Sequence, residues 1–404
     1  MERLDHARIL MYSHDTMGLG HLTRCRTIAS SLIHRYKGLF ILIVTGSTVA
    51  GRFSFPARVD FVKIPSVIKL YNGEYTSMYE HIDLHETLAM RKAIIRQTAE
   101  IFKPDMLIVD KVPLGLKGEL EETLGMLKQR GCSLVLGLRD VMDSPERLDE
   151  EWGSNEVLSQ VSTIYDRLWI YGTREFWHPL KGLDVPNVLD SKISFTGYLR
   201  RYAVIKSSPS QHSFTNPYVL ATVGGGGDGE ALIGQVLKAY ESDNTIPYPA
   251  LLVLGPFMKN SARDAIHDRA QALSNVEVID FENNMSQLMK GAIGVVAMGG
   301  YNTFCDILSY DKRAIIVPRT HPRQEQLIRA TRAQELGLVT MLHPEQANDP
   351  HVMADALRHL PMQSLPSEAD QPGLMDGLKN VAEYTGSIFS ARRAPTLTVI
   401  EGGS

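Results

Sequence analysis

The chain has 404 residues, of which 44% are hydrophobic and 22% charged; 42 Lys and Arg stand against 46 Asp and Glu, giving a formal net charge of −4. The length predicts two domains, and the charge excludes the basic excess of a general nucleic-acid binder while leaving room for a local basic pocket. Cys25, Cys132 and Cys305 form no close pair, which excludes a disulfide framework or a cysteine zinc site and reads as packed small hydrophobes in a reducing cytoplasm.

No signal peptide is expected, because charges interrupt the first residues, and no run approaches the ~18 apolar residues of a membrane span. In chain order, strands are expected at Ile9–Ser13, Leu39–Thr45, Val59–Ile64, Met106–Asp110, Leu134–Leu138, Leu168–Tyr171 and Ile193–Thr196. A second series follows at Tyr218–Val223, Leu251–Leu254, Val276–Ile279, Gly294–Met298, Ala314–Pro318 and Leu338–Leu342. These runs are continuously apolar, which suits strands buried on both faces of a parallel sheet. Between them, residues such as Leu22, Cys25, Ile28, Ala29, Leu32 and Ile33 repeat at helical spacing. The alternation predicts an α/β chain with two doubly wound, Rossmann-like domains facing a cleft. Their spans are 1–200 and 217–385, joined by the polar stretch around Arg201–Asn216, with 386–404 as a tail that packs on the first domain or hangs loose.

The first strand runs into Gly18, Leu19, Gly20 and His21. Glycines there permit a tight turn and close backbone approach to a ligand, and the helix that follows points its free N–H groups at the same place. The third glycine of a dinucleotide fingerprint is missing, since Thr23 holds its position, and no acidic residue ends the second strand. His21 sits in the first helical turn, where the positive end of the dipole favours a neutral imidazole suited to a general base; capping or packing at the helix start is the plainer role. Arg24 holds a carboxylate or is solvated, and Asp15 is either a partner of His21 or a turn residue.

The second domain opens with Gly224, Gly225, Gly226 and Gly227 between strand and helix, a turn able to cradle a diphosphate. It lacks the Gly-Lys-Ser/Thr of a Walker A loop. Further on, Phe281, Glu282 and Met285 precede a strand ending at Met298; Gly300 then clears space and a helix starting near Asn302 presents Thr303 and Asp306. A last loop, rich in donors and acceptors, carries Arg319, His321, Arg323, Glu325 and Gln326, with a helix expected from Pro322 that includes Arg329. Asp306 can accept both hydroxyls of a ribose, Glu325 and Gln326 the hydroxyls of a sugar, and His321 with the arginines can meet phosphate or bridge charges.

These motifs together resemble the GT-B glycosyltransferases, nearest the group that includes the N-acetylglucosaminyltransferase of peptidoglycan synthesis. Gly20-His21, Gly224–Gly227, Phe281 to Met285, Gly300 to Asp306 and Glu325-Gln326 carry the resemblance, with Asp306 where that group has Glu and Glu325 where it has Gln. It implies that Phe281 and the Glu282 backbone border a uracil, that Asp306 meets the ribose, and that Glu325-Gln326 lie against the donor sugar. It also implies inversion, a UDP-sugar donor and neither cofactor nor metal. The opening segment is similar to the UDP-sugar hydrolases of pseudaminic acid biosynthesis as well, which use water as acceptor. The sequence therefore leaves open a transferase, a hydrolase and a non-catalytic nucleotide-sugar binder.

On the acceptor side, Asp110 and Arg139-Asp140 end strands and should face the cleft, while Glu119 is less certain. Asp110 orients an acceptor, acts with His21 or caps the fold; Arg139 and Asp140 read as an ion pair bridging the domains. Arg91, Lys92 and Arg96 on an amphipathic helix read as a solvated face in preference to a membrane-touching one. The acceptor itself is undefined by the sequence.

Overall fold

The computed structural model describes residues 2–14, 20–69, 74–79, 81–153, 155–201, 212–214, 217–225, 227–282 and 285–393. All the expected strands form, with ends within two residues of those read from the sequence. In the first domain they are β1 (Arg8–Ser13), β2 (Phe40–Thr45), β3 (Val59–Lys63), β4 (Met106–Asp110), β5 (Ser133–Arg139), β6 (Arg167–Tyr171) and β7 (Ile193–Phe195). They build one parallel sheet in the order β7-β6-β5-β4-β1-β2-β3. In the second domain, β8 (Tyr218–Thr222), β9 (Ala250–Val253), β10 (Val276–Ile279), β11 (Ala292–Ala297), β12 (Arg313–Ile316) and β13 (Thr340–Met341) build another, in the order β10-β9-β8-β11-β12-β13. Every residue of β4 and β8 is buried, as strands covered on both faces require.

Helix α1 (Gly20–Arg35) lays Leu22, Cys25, Ile28, Ala29, Leu32 and Ile33 into the core. All three cysteines are buried. The chain order reverses between β1 and β4 and between β8 and β11, and ligands of such sheets lie outside the carboxyl ends of the strands at those reversals. His21 and Asp110 lie just beyond β1 and at the end of β4, and so share that crevice.

Several features depart from the sequence reading. An antiparallel ribbon pairs Val67–Lys69 with Tyr75–Ser77; these three-residue strands carry no continuous apolar run to announce them. The helix after β12 begins at Glu325 instead of Pro322 (α6, Glu325–Glu335), because residues 321–324 form an irregular loop. Helix α7 (Gly377–Arg393) leaves the second sheet and packs beside α1: Tyr36 donates to the Ala382 carbonyl at 2.7 Å, and Asn380 donates to that of Thr196 at 2.8 Å. Residues 377–385 therefore lie against the first domain. Residues 394–404 of the expected tail, and most of the linker around 201–216, lie outside the described residues.

Arg91 corrects the reading of α2 (Leu84–Phe102) as a solvated basic face. It is 1% exposed and makes a bidentate pair with Glu119, both distances 2.6 Å, so the charge is internal. Lys92 and Arg96 stay outside, paired with Glu122. No described helix is long and apolar enough to cross a membrane. A capping box starts α2: the Glu86 N–H donates to Asp83 Oδ1 at 2.7 Å and the Asp83 N–H donates back to Glu86 Oε2. Asp83→Ala should cost about 1 kcal/mol, read as a small fall in the urea midpoint of the first domain; an unchanged midpoint would show that tertiary packing alone holds the helix start.

Candidate active site

The carboxyl end of β4 delivers Asp110, and the first turn of α1 delivers His21 and Arg24. Asp110 Oδ2 lies 2.5 Å from His21 Nδ1, and Arg24 donates to both oxygens of the same carboxylate at 2.8 and 2.6 Å. Arg24 is thus buried on a carboxylate and not solvated. Burial by itself would raise the Asp110 carboxyl, but Arg24 and His21 outweigh it and hold the group well below the usual carboxylate range. An ionised carboxylate only accepts, so it sets the proton on His21 Nδ1 and leaves the lone pair on Nε2. The His21 side chain is 20% exposed, against 3% for Asp110. Asp15 and Gly18 lie outside the described residues.

Behind His21, His14 follows β1 with its ring edge-on at 5.7 Å. Burial, with the nearby Lys111 and Arg91 adding to it, pushes its pKa well down, so it stays neutral. Its Nδ1 lies 3.3 Å from the Tyr12 hydroxyl, which donates to Glu119 at 2.5 Å. The Arg91–Glu119 pair thereby backs the wall on which His21 rests. His14 was not singled out in the sequence; its place directly after an apolar strand run was the available signal.

Across the crevice, α5 of the second domain (Tyr301–Ser309, after α3 at Glu121–Gln129 and α4 at Glu230–Ser242) begins where α1 begins. Asn302 Nδ2 donates to the Gly20 carbonyl at 3.0 Å, so the two helix N-termini meet. A Cβ on Gly20 would come within 3.3 Å of that same Asn302 nitrogen, which is why glycine suits the position. Gly224, with φ of 62°, runs beside Thr303 at the start of α5. Gly225 accepts from the Phe257 N–H at 3.0 Å, Gly227 has open space around it, and Gly226 lies outside the described residues. Gly300 caps α5. Two helix starts and a glycine turn thus converge on one small region, an arrangement that favours anions.

Asp306, one turn into α5, is pushed up to about 6 by burial. Its Oδ1 lies 3.7 Å from Nε of Arg201, which also donates to Thr27 and to Asn302 Oδ1. Arg201 was read only as the start of a linker. Phe281 and Glu282 follow β10 half-buried, and Met285 packs on the core.

At the start of α6, Glu325 Oε1 accepts from Arg319 at 2.7 Å, whereas Oε2 is buried without a hydrogen-bond partner. The Gln326 side chain accepts from the Arg319 N–H at 3.0 Å, and Arg319 also pairs with Asp228 of the glycine turn. His321 is exposed and meets Thr320 Oγ1 at 3.0 Å, so the structure does not bring it to this group.

Asp140 bridges the domains as expected, but not with Arg139. It takes both donors of Arg329 at 2.7 and 2.6 Å, with the Tyr198 hydroxyl at 2.7 Å, all of them buried. β5 ends at Arg139, and Asp140 lies in the bend beyond it, where it meets Arg329 and Tyr198.

Fold and crevice define the class: two Rossmann-like domains with a ligand crevice between them, the GT-B architecture. Residues 219–381 match the family model described as "Glycosyltransferase family 28 C-terminal domain". An uncharacterized glycosyltransferase of Methanosarcina acetivorans is 24% identical over 362 residues, covering 85% of this chain and 87% of the other. Among solved structures, the calicheamicin glycosyltransferase CalG4 aligns over 96% of this chain and all of its own, at 16% identity and TM-score 0.61. UGT2 of Phytolacca americana, complexed with UDP-2-fluoro-glucose and pterostilbene, aligns over 95% and 99%, at 12% and 0.59. MurG of Acinetobacter baumannii aligns over 94% and 99%, at 10% and 0.54. The chain has the GT-B fold, and residues 219–381 form a C-terminal domain of the glycosyltransferase family 28 type.

Proposed function

We propose that the protein transfers a sugar from a UDP-sugar to an acceptor hydroxyl, with inversion at the anomeric carbon and without a metal. The observation that carries this reading is the His21–Asp110 pair at the mouth of α1, facing the N-terminus of α5 and the glycine turn. His21 Nε2 takes the proton of the acceptor hydroxyl as its oxygen attacks the anomeric carbon. Asp110 holds the tautomer and steadies the imidazolium as it forms, as the acidic member of a catalytic triad does. The bond to the diphosphate breaks on the opposite face, and negative charge grows where the glycine turn and the start of α5 present N–H groups. That stabilisation is fixed in place by the fold, which is the reason to assign it the part a metal would otherwise play. The unpartnered Glu325 Oε2 suits a sugar hydroxyl, a donor it otherwise lacks.

The nucleotide follows by analogy: UGT2, of the same fold, holds UDP-2-fluoro-glucose. Asp306 is assigned to the ribose hydroxyls. Asp306→Asn should weaken UDP binding about tenfold by calorimetry, the scale of a hydrogen bond to a charged group. Because that carboxyl protonates near 6, wild-type affinity should also fall as pH drops below 6. Unchanged affinity in the variant removes Asp306 from the nucleotide site. Turnover of a UDP-sugar by purified protein, with and without cell extract, tests the whole proposal; consumption without any acceptor would instead indicate a hydrolase.

A further inference from the structure

Among the described residues seven Lys or Arg side chains flank the crevice and five are neutralised, the first being Arg201, which faces Asp306. Arg24 is held by Asp110, Arg329 by Asp140, Arg323 by Asp143 and Glu151, and Arg319 by Asp228 and Glu325. Lys111 and Arg139 are left over. Among the described residues no carboxylate pairs with either, and Arg139 Nε is buried with no hydrogen-bond partner. Backbone geometry brings the two together: the Lys111 N–H donates to the Gly137 carbonyl at 2.8 Å, which seats Lys111 at the carboxyl end of β5 where Arg139 emerges. Lys111 adopts a φ of 74°, an uncommon conformation for a residue with a side chain.

Two cations side by side, each half-buried, are unfavourable unless an anion joins them. Burial, with Arg139 and Arg323 adding to it, pushes the Lys111 ammonium down to about 7; burial also pushes Arg139 down to about 10, with Arg329 and Arg24 adding to it and the facing Glu325 and, less, Asp140 opposing it. Glu325 and Glu151 act in the other direction on Lys111 but are already engaged by arginines. His14 and His21 approach from β1 and α1, and Asp110 is the preceding residue.

We infer that Lys111 and Arg139 form an anion subsite of the first domain that selects an acceptor carrying a carboxylate or phosphate next to the hydroxyl that reacts. The placement argues for the acceptor. Both residues stand on the domain that carries the base, and Lys111 directly follows Asp110, which orients His21. A group held by them lies beside the hydroxyl deprotonated by His21. This assignment rests on the transfer reading above, yet the subsite itself is testable without it.

The probe is sulfate, whose charge is constant between pH 6 and 9. Full-length protein is titrated by calorimetry at fixed ionic strength, alone and saturated with UDP. Sulfate should bind in both cases, about tenfold more weakly at pH 9 than at pH 6 as Lys111 loses its charge. Lys111→Gln should weaken binding at pH 6 about tenfold and flatten the pH response; Arg139→Gln should weaken it at both pH values and retain the response. If one variant fails to fold, the other and the wild-type pH series still decide.

Binding indifferent to both substitutions overturns the subsite, as does a pH response that survives Lys111→Gln, which would point to His21. Competition between sulfate and UDP would move the anion to the diphosphate site and overturn it too. UDP-glucuronic acid binding more tightly than UDP-glucose in wild type, but not in Lys111→Gln, would assign the cations to the donor sugar and overturn the acceptor assignment. Failure of UDP to bind at all, with Lys111-dependent sulfate binding intact, would defeat the transfer reading and leave the anion subsite standing.

Discussion

His21→Ala is expected to lower sugar-transfer turnover about a thousandfold, within the range that a positioned general base supplies, while UDP affinity stays within about twofold. The split follows from the geometry. His21 belongs to the first domain, and its ring is fixed by Asp110 at 2.5 Å, whereas the nucleotide is assigned to the turn and helix of the second. Removing the imidazole leaves Asp110 paired with Arg24 at 2.8 and 2.6 Å, so the buried carboxylate is not stranded and the fold should survive. Asp110→Asn is a sharper probe. An amide can offer its N–H to Nδ1, which shifts the imidazole proton to Nε2 and removes the lone pair that the acceptor needs. Turnover near wild type in His21→Ala, measured at saturating donor, would rule out the histidine as base. A loss confined to KM would show that it binds substrate without moving a proton.

Asp140→Ala is expected to be the most destabilising single substitution in the crevice, by about 3–5 kcal/mol, the cost of leaving a buried ion pair without one partner. Arg329 is 1% exposed; without the aspartate its guanidinium keeps the Gly299 carbonyl at 3.0 Å but no carboxylate, and Tyr198 loses its acceptor. The pair joins the end of β5 to α6, so the loss should appear as a lower unfolding temperature for both domains, followed by differential scanning calorimetry. Replacing both partners, Asp140→Leu with Arg329→Met, should recover much of the loss, since no charge is then buried alone. A double variant as unstable as the single one would mean that the pair's worth lies in its hydrogen bonds to Gly299 and Tyr198 and not in the charge balance.

How much of this was legible beforehand differs by kind of feature. The strands were, because a parallel sheet covered on both faces demands continuous apolar runs such as MLIVD and YVLAT, and such runs can be seen one at a time. The glycine turns and His21 were legible for a similar reason: a strand-to-helix junction has a local signature, and the helix dipole acts on its own first turn. The resemblance to the GT-B glycosyltransferases rested on the same kind of local motif, such as Gly224–Gly227 and Gly300 to Asp306.

What the tertiary structure alone decided is pairing across distance. Nothing local could separate Asp110 as partner of His21 from Asp110 as a strand cap; they stand 89 positions apart, and the parallel alignment of β1 with β4 closes that gap. Arg139 and Asp140 are neighbours in sequence, yet Asp140, in the bend that follows β5, pairs with Arg329, 189 residues on, while Arg139 Nε is left without a hydrogen-bond partner. Arg91 looked like surface charge until the fold supplied Glu119. Amino-acid order by itself set the two domains, the junctions and the types of chemical group available. Which charges cancel, and that Lys111 and Arg139 are the two left over, follows only from three-dimensional pairing, because electrostatic interactions depend on separation in space and not along the chain.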